Sequence, residues 1–312
     1  MTVKPNDVRM AYRLILGRLP SDTEVANTQK NFKSVNALRN SFLLSKEFEA
    51  AYSRMRTRPG EQSDPLLIHL HIPKTAGTSL ARALEAEPRL QPMRIVHQNG
   101  IDQLASSPRA ERLQIRYLRG HLVMGAGQML DVPHRYLCLL RKPGPRIFSF
   151  FQFIQRTISH PEHDLVYKGG MSFGDYLEFT QTNLNHRIEV HNGQVRRLSG
   201  VFFPPKFGHE AELLRLALHH ILAPNMMWGL VEHLDLLIRD LVKDGLLSDP
   251  NIEKSNVSPH SDRYEAAIAE LTDRQRAIFG AYTAFDNQLY QMCETVLLGQ
   301  HNVSTPSKQK RK

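Results

Sequence analysis

The chain has 312 residues, 41% of them hydrophobic, and a formal net charge of +9 at pH 7. This length suits one large α/β domain with a small appendage, and the charge favours anionic partners: a nucleotide, an acidic glycan, nucleic acid or a membrane surface. No run reaches the roughly 18 apolar residues of a membrane span. Two cysteines are too few for a disulfide framework or a zinc cluster, and the first residues lack the apolar segment of a secretory signal. We therefore expect a cytoplasmic protein.

The beginning of the chain, residues 1–58, has the pattern of a small all-α module. Asn6 or Asp7 can cap a first helix, which Gly17 and Pro20 end. Residues 21–24 form a capping box for a second helix, and residues 35–43 carry the apolar spacing of a third. The module is similar to a short helical module that recurs in bacterial proteins, often beside glycan enzymes.

Composition predicts where this module and the main domain end. Residues 53–64 are rich in Arg, Pro, Gly and Gln, which is typical of a linker. Residues 300–312 are polar and basic, so we expect a disordered tail there. The main domain is therefore predicted to span residues 62–299.

The segment that begins at Leu66 has the pattern of a buried strand, a loop and a helix. Its apolar run ends at Pro73, and a helix begins near Thr78. In a loop of this kind several backbone N–H groups point into one space. The positive end of the helix dipole faces the same space, which suits a bound anion. Lys74 precedes Gly77, whereas a nucleotide triphosphatase loop has its Lys after the second Gly.

Two later strands also end in polar residues. The apolar run near residue 117 is interrupted by Gly120 and His121. Residues 135–140 are apolar without alternation, as in a central parallel strand, and Arg141 follows them. The Arg141 guanidinium is a planar fork suited to phosphate oxygens, and Ser149, on the helix that follows, can donate to the same anion.

Both loops resemble those of sulfotransferases that use 3′-phosphoadenosine 5′-phosphosulfate. Residues 73–79, Pro-Lys-Thr-Ala-Gly-Thr-Ser, resemble the family's 5′-phosphosulfate loop. Their sequence is most similar to the motif of the branch that includes heparan sulfate 2-O-sulfotransferases and many bacterial carbohydrate sulfotransferases. Residues 140–151 are similar to its 3′-phosphate site, with Lys142 in place of the usual Asp. The resemblance covers residues 66–297. It implies an α/β, P-loop-like sulfotransferase fold whose central, mostly parallel sheet is flanked by helices.

The resemblance also implies roles for individual residues. The donor's 5′-phosphate side is expected to contact the loop residues Pro73, Lys74, Thr75, Ala76, Gly77, Thr78 and Ser79, and its 3′-phosphate to contact Arg141 and Ser149. Lys74 and His121 are the expected catalytic residues, with His121 as general base. A phrase typical of bacterial members places Gln194, Arg196 and Arg197 near the acceptor or nucleotide. Lys254, Ser255 and Asn256 lie where the family often contacts the adenosine bisphosphate.

The function implied is transfer of a sulfuryl group to a hydroxyl of a carbohydrate or glycoconjugate, with no nucleic-acid partner and no metal. His160 and His163 lack a third metal ligand at a convincing spacing. A nucleotide-dependent phosphotransferase remains an alternative, although it would normally need a magnesium-binding carboxylate where Arg141 and Lys142 stand. A non-catalytic basic glycan-binding protein is another. The oligomeric state and peripheral contact with a membrane stay open.

Overall fold

The computed structural model describes residues 3–48, 64–96, 100–204, 209–252 and 261–301. Three predictions fall largely or wholly outside these ranges: the linker at residues 53–64, the tail at residues 300–312, and the nucleotide contact at residues 254–256.

The structure contains a parallel five-stranded sheet in the order β2-β3-β1-β4-β5, flanked by helices, so the predicted α/β class is confirmed. Its strands are β1 (Leu66–Leu70), β2 (Met93–Val96), β3 (Tyr117–Gly120), β4 (His134–Leu140) and β5 (Met226–Leu230). β1 is buried along its whole length, including His69, as its largely apolar pattern predicts. Leu70 pairs with Gly120, so β1 and β3 end level with each other.

The described helices follow the chain in this order. The first seven are α1 (Pro5–Ala11), α2 (Asp22–Asn31), α3 (Val35–Leu43), α4 (Gly77–Glu85), α5 (Gly100–Ser106), α6 (Arg109–Gln114) and α7 (Pro143–Arg156). The next seven are α8 (Phe173–Thr182), α9 (Leu184–Val190), α10 (Gly193–Leu198), α11 (Glu210–Ile221), α12 (Leu234–Lys243), α13 (Ser261–Ala269) and α14 (Asp273–Gln300). Short 3-10 or π-helical turns lie at Tyr12–Leu16, Pro88–Leu90, Gly127–Leu130, Asp164–Lys168 and Val231–His233.

The chain forms two compact units. The first comprises Met1–His71, Glu85–Leu137 and Ala223–Met227. The second comprises Ile72–Leu84, Cys138–Leu222 and Trp228–Lys312.

In the first unit, the N-terminal helices share a small apolar core. Val8, Leu38 and Phe42 are buried together, and the predicted capping box begins α2. These helices also contact the middle of the unit, since the Arg13 guanidinium bonds Asp102 at 3.1 Å. Leu14 lies so close to Gly125 that a Cβ there would be 2.4 Å from its Cδ2.

In the second unit, aromatic side chains pack between α7, α8 and α14. Phe148 meets Phe173 edge-on with ring centroids 5.2 Å apart, and Phe151 lies 5.2 Å from Tyr176. Tyr282 of α14 belongs to the same buried cluster. This cluster holds α7, the helix that carries Ser149, against the C-terminal helix.

Two segments differ from what their sequence predicts. The pattern of residues 101–113 predicts one helix. The structure has two, α5 and α6, because Pro108 between them has no N–H for a helical hydrogen bond. Residues 157–171 are polar and rich in His, Gly and charged residues, a composition that predicts an exposed loop. They include a helical turn, and His163 is buried, with Nδ1 3.0 Å from the carbonyl oxygen of Ile154.

Candidate functional site

The loop between β1 and α4 has an unusual backbone. Lys74 and Ala76 both have positive φ, +68° and +56°, which costs a non-glycine residue about 1–3 kcal/mol. Between them, the buried Thr75 hydroxyl donates to the Ile72 carbonyl oxygen at 2.8 Å, which braces the turn. Left-handed residues in a tight turn let successive N–H groups converge on an anion, and α4 begins at Gly77 directly after them.

The remaining loop residues differ in exposure. Thr78 is exposed, whereas Pro73, Gly77 and Ser79 are buried. The hydroxyl of Thr78 is therefore open to solvent at the first turn of α4, and the other residues shape the backbone around it.

The side chain of Lys74 lies among other cations. Burial, followed by the charges of Arg156 and Arg141, lowers its pKa from 10.5 to about 8. Its ammonium nitrogen lies 4.4 Å from the centre of the Phe153 ring, a cation–π contact. Because both charged neighbours that shift this pKa are positive, an anion bound here would relieve their repulsion.

Arg141, directly after β4, connects this loop to the next. Its Nη1 donates to the carbonyl oxygen of Lys74 at 3.2 Å. Burial lowers the pKa of its guanidinium, and the carboxylate of Glu232 partly offsets that effect. The Glu232 carboxylate also accepts a hydrogen bond of 3.1 Å from the backbone N–H of Lys142. Lys142 stands where the sulfotransferases that these loops resemble usually have Asp.

A cavity of about 610 Å³ lies beside Arg141 in the second unit. Arg141 and Ser149 both line it, so the structure brings the two residues of the predicted 3′-phosphate site to one cavity. Its volume is within the roughly 300–1,000 Å³ of small-molecule sites. Its other lining residues include Tyr264 of α13 and Asn287 and Tyr290 of α14.

A glycine gives this cavity part of its shape. A Cβ at Gly144 would lie 2.1 Å from the Tyr264 hydroxyl oxygen, so only glycine allows α13 to come this close. The Tyr264 ring also packs against Phe148, with centroids 5.7 Å apart, and burial raises its pKa to about 12. Tyr264 is a lining residue that the sequence motifs did not indicate.

In the first unit, His121 lies just after β3 and is exposed. Its ring meets that of His71 edge-on, with centroids 5.2 Å apart. The His71 ring stacks in turn on His69 at 5.6 Å. Burial, followed by the charges of His71 and Arg119, holds the pKa of His69 well below its usual value, so His69 is neutral. Its place beside the loop motif predicts a structural role for His71, but the register of β1 and β3 brings it to the predicted base, His121.

The three residues expected near the acceptor are buried in α10. Gln194, Arg196 and Arg197 are at most 1% exposed. Arg196 donates to the backbone carbonyl oxygens of His191, Phe202 and Ile188. Arg197 forms a bidentate ion pair with Glu189 at 2.7 and 2.8 Å. Their polar groups therefore serve the interior of the second unit.

Within the described ranges, no group of three or more His, Cys, Asp or Glu side chains could hold a metal ion. None of the helices described is both long and apolar enough to cross a membrane. A scan of family models and a search of curated proteins found no match to this chain.

Proposed function

We propose that this chain is a sulfotransferase that uses 3′-phosphoadenosine 5′-phosphosulfate and acts on a hydroxyl of a carbohydrate or glycoconjugate. The observation that carries the proposal is the contact of the Arg141 guanidinium with Lys74, because one arginine joins a candidate anion loop to a cavity of nucleotide size. The identity of the sulfuryl donor is proposed from the resemblance of both loops to this family. The P-loop-like fold and a cytoplasmic location are part of the same proposal.

The donor carries charge at two places that match the two loops. The 5′-phosphosulfate would accept bonds from the backbone of residues 73–79 and from Lys74, whose ammonium lies among cations. The 3′-phosphate would contact Arg141 and Ser149 in the cavity. Because the positive charge comes from side chains and backbone amides, this binding mode requires no metal ion.

Sulfuryl transfer then exchanges one S–O bond for another. The acceptor oxygen attacks sulfur, and the bond from sulfur to the bridging oxygen breaks, with its electron pair passing to the 5′-phosphate. Positive groups that face this oxygen stabilise the charge that grows on it, which assigns the main electrostatic contribution to Lys74. A base must remove the hydroxyl proton, and His121 is our candidate, since an imidazole has an ordinary pKa of about 6.5.

The test follows radiolabelled sulfur from the donor to a panel of acidic and neutral glycans, with EDTA present. We expect label in a glycan, together with an equal amount of adenosine 3′,5′-bisphosphate, and much slower transfer by Lys74→Ala. Glycan binding without transfer would favour the non-catalytic alternative. Transfer of phosphate from ATP with magnesium would instead favour a phosphotransferase.

A further inference from the structure

The side chain of Gln194 spans the peptide groups on both sides of Arg141. Its Oε1 accepts a hydrogen bond from the Arg141 N–H at 2.9 Å, and its Nε2 donates to the Arg141 carbonyl oxygen at 2.9 Å. The Gln194 side chain is fully buried, so water does not compete for these two bonds.

This contact requires a side chain with particular chemistry. It must carry a donor and an acceptor on the same carbon, as the amide groups of Asn and Gln do. A carboxylate of the same length could accept from the N–H but could not donate to the carbonyl oxygen. A methionine would fill similar space and do neither.

Gln194 is itself held from α14. Its backbone N–H donates to the Asp286 carboxylate at 3.1 Å, and the N–H of Val195 donates to the same carboxylate at 2.8 Å. Asp286 is fully buried and lies 3.6 Å from the equally buried guanidinium of Arg146. Asn192 Oδ1 accepts from the Asp286 N–H at 3.1 Å, so the start of α10 is bonded to α14 in both directions.

The position of these bonds determines what they control. Arg141 directly follows β4, and no regular strand or helix bond fixes it, because α7 begins two residues later. Arg141 nevertheless lines the cavity together with Ser149, and its guanidinium would have to hold one orientation to bind a phosphate there. The hydrogen bonds between a guanidinium and a phosphate depend strongly on the orientation of the guanidinium. A backbone free to rotate at Arg141 would therefore weaken phosphate binding.

We propose that Gln194 is a positioning residue that fixes the Arg141 backbone for recognition of the 3′-phosphate, and that Asp286 holds Gln194 in place. The inference rests on the proposed function for the identity of the ligand. It assigns Gln194 to the nucleotide side of the site, through Arg141, and not to direct contact with the acceptor.

Two measurements on the full-length chain test this inference. Calorimetry compares the affinities for adenosine 3′,5′-bisphosphate and adenosine 5′-phosphate, whose ratio reports recognition of the 3′-phosphate. Hydrogen exchange measures the protection of the Arg141 amide. We expect Gln194→Met to lower the affinity ratio about five- to tenfold and to speed exchange at Arg141, because it removes both bonds.

Two further variants control for loss of stability. Leu198→Ala empties buried space in the same helix, so it should lower the melting temperature and leave the ratio unchanged. Gln194→Leu also removes both bonds and adds no charge beside the phosphate site, so it should lower the ratio and speed exchange at Arg141 as Gln194→Met does. If Gln194→Met does not fold, Gln194→Leu is judged by the same two measurements.

An unchanged affinity ratio in the Gln194 variants, or unchanged exchange at Arg141, would overturn the inference. So would an equal fall in the ratio for Leu198→Ala, since the effect would then come from stability alone. If the wild type does not distinguish the two nucleotides, the proposed function fails. The exchange measurement then decides by itself whether Gln194 holds the Arg141 backbone.

Discussion

The Arg141 guanidinium donates a hydrogen bond of 3.2 Å to the carbonyl oxygen of Lys74. The bond joins the residue after β4 to the loop after β1, although 67 positions separate them in the chain. Arg141 therefore has two tasks in our account. It braces the backbone of the 5′-phosphosulfate loop, and it offers its remaining donors to the 3′-phosphate.

The first prediction separates recognition of the 3′-phosphate from general attraction of anions. Arg141→Ala should lower the preference for adenosine 3′,5′-bisphosphate over adenosine 5′-phosphate about 10- to 100-fold, because a charge-assisted hydrogen bond contributes roughly 1.5–3 kcal/mol. Ser149→Ala should lower it less, since a hydroxyl is neutral. Calorimetric titration of both nucleotides measures the preference.

Arg156→Ala is the matched control for Arg141→Ala. Arg156 also repels Lys74, but it is not among the residues that line the cavity. Its loss should weaken both nucleotides by a similar factor. Equal preference in wild type and Arg141→Ala would show that Arg141 is structural.

The second prediction concerns pH. The pKa of Lys74 is lowered to about 8, so its ammonium is charged at neutral pH and loses its proton as pH rises past 8. Affinity for adenosine 3′,5′-bisphosphate should therefore fall between pH 7 and 9.5, and binding near pH 8 should take up a proton. Calorimetry in buffers of different ionisation enthalpy measures this uptake. Lys74→Arg stays charged and should show neither effect.

The same shift has a defined sign for stability. The folded-state pKa of Lys74 lies below its ordinary value of 10.5, so between about 8 and 10.5 the unfolded chain binds more protons than the folded chain. The contribution of this group to the free energy of unfolding therefore rises with pH across that window. A bound anion should reduce this rise, because it favours the charged lysine. A contribution from Lys74 that falls with pH would contradict the assignment.

The third prediction tests the base. His121→Ala should reduce turnover about 10²–10⁴-fold, because a sugar hydroxyl is a weak nucleophile until its proton is removed. Affinity for the bisphosphate should change little. His160→Ala serves as the comparison, and a larger loss of turnover there would place the base at residues 157–171.

The fourth prediction concerns the contact between the N-terminal helices and the rest of the first unit. Gly125 has a φ of +96°, and a Cβ there would lie 2.4 Å from Leu14. Gly125→Ala should therefore lower the free energy of unfolding by about 1–3 kcal/mol through strain and crowding. Gly280 is exposed within α14, and a Cβ there would meet no atom within 4 Å. Gly280→Ala should stabilise the chain by up to about 1 kcal/mol. Denaturant unfolding compares the two.

Much of the fold follows from local sequence. β1 is apolar except for His69, and β4 is apolar from Tyr136 onward. The Ser21–Glu24 capping box begins α2 as its spacing predicts. Both candidate anion loops are recognisable in the sequence because a phosphate contact would need particular residues within a few positions. Sequence reasoning thus finds what neighbours along the chain determine.

The remaining features depend on contacts between distant segments. The sequence places Gln194 near the acceptor or nucleotide. In the structure it is buried, and its N–H donates to Asp286, 92 positions later, a contact that no local pattern indicates. His71 meets His121 because β1 and β3 pair in one register, which no local pattern gives. These long-range contacts bury Gln194, a predicted ligand residue, and bring His71 beside His121, the proposed base.

One measurement tests the central claim most directly: calorimetric titration of the wild-type chain with adenosine 3′,5′-bisphosphate in EDTA and, separately, with ATP and magnesium. Our account predicts that the bisphosphate binds without metal and more tightly than ATP with magnesium, since Lys74 and Arg141 each serve one phosphate group. Binding of ATP with magnesium, and no binding of the bisphosphate, would contradict the account.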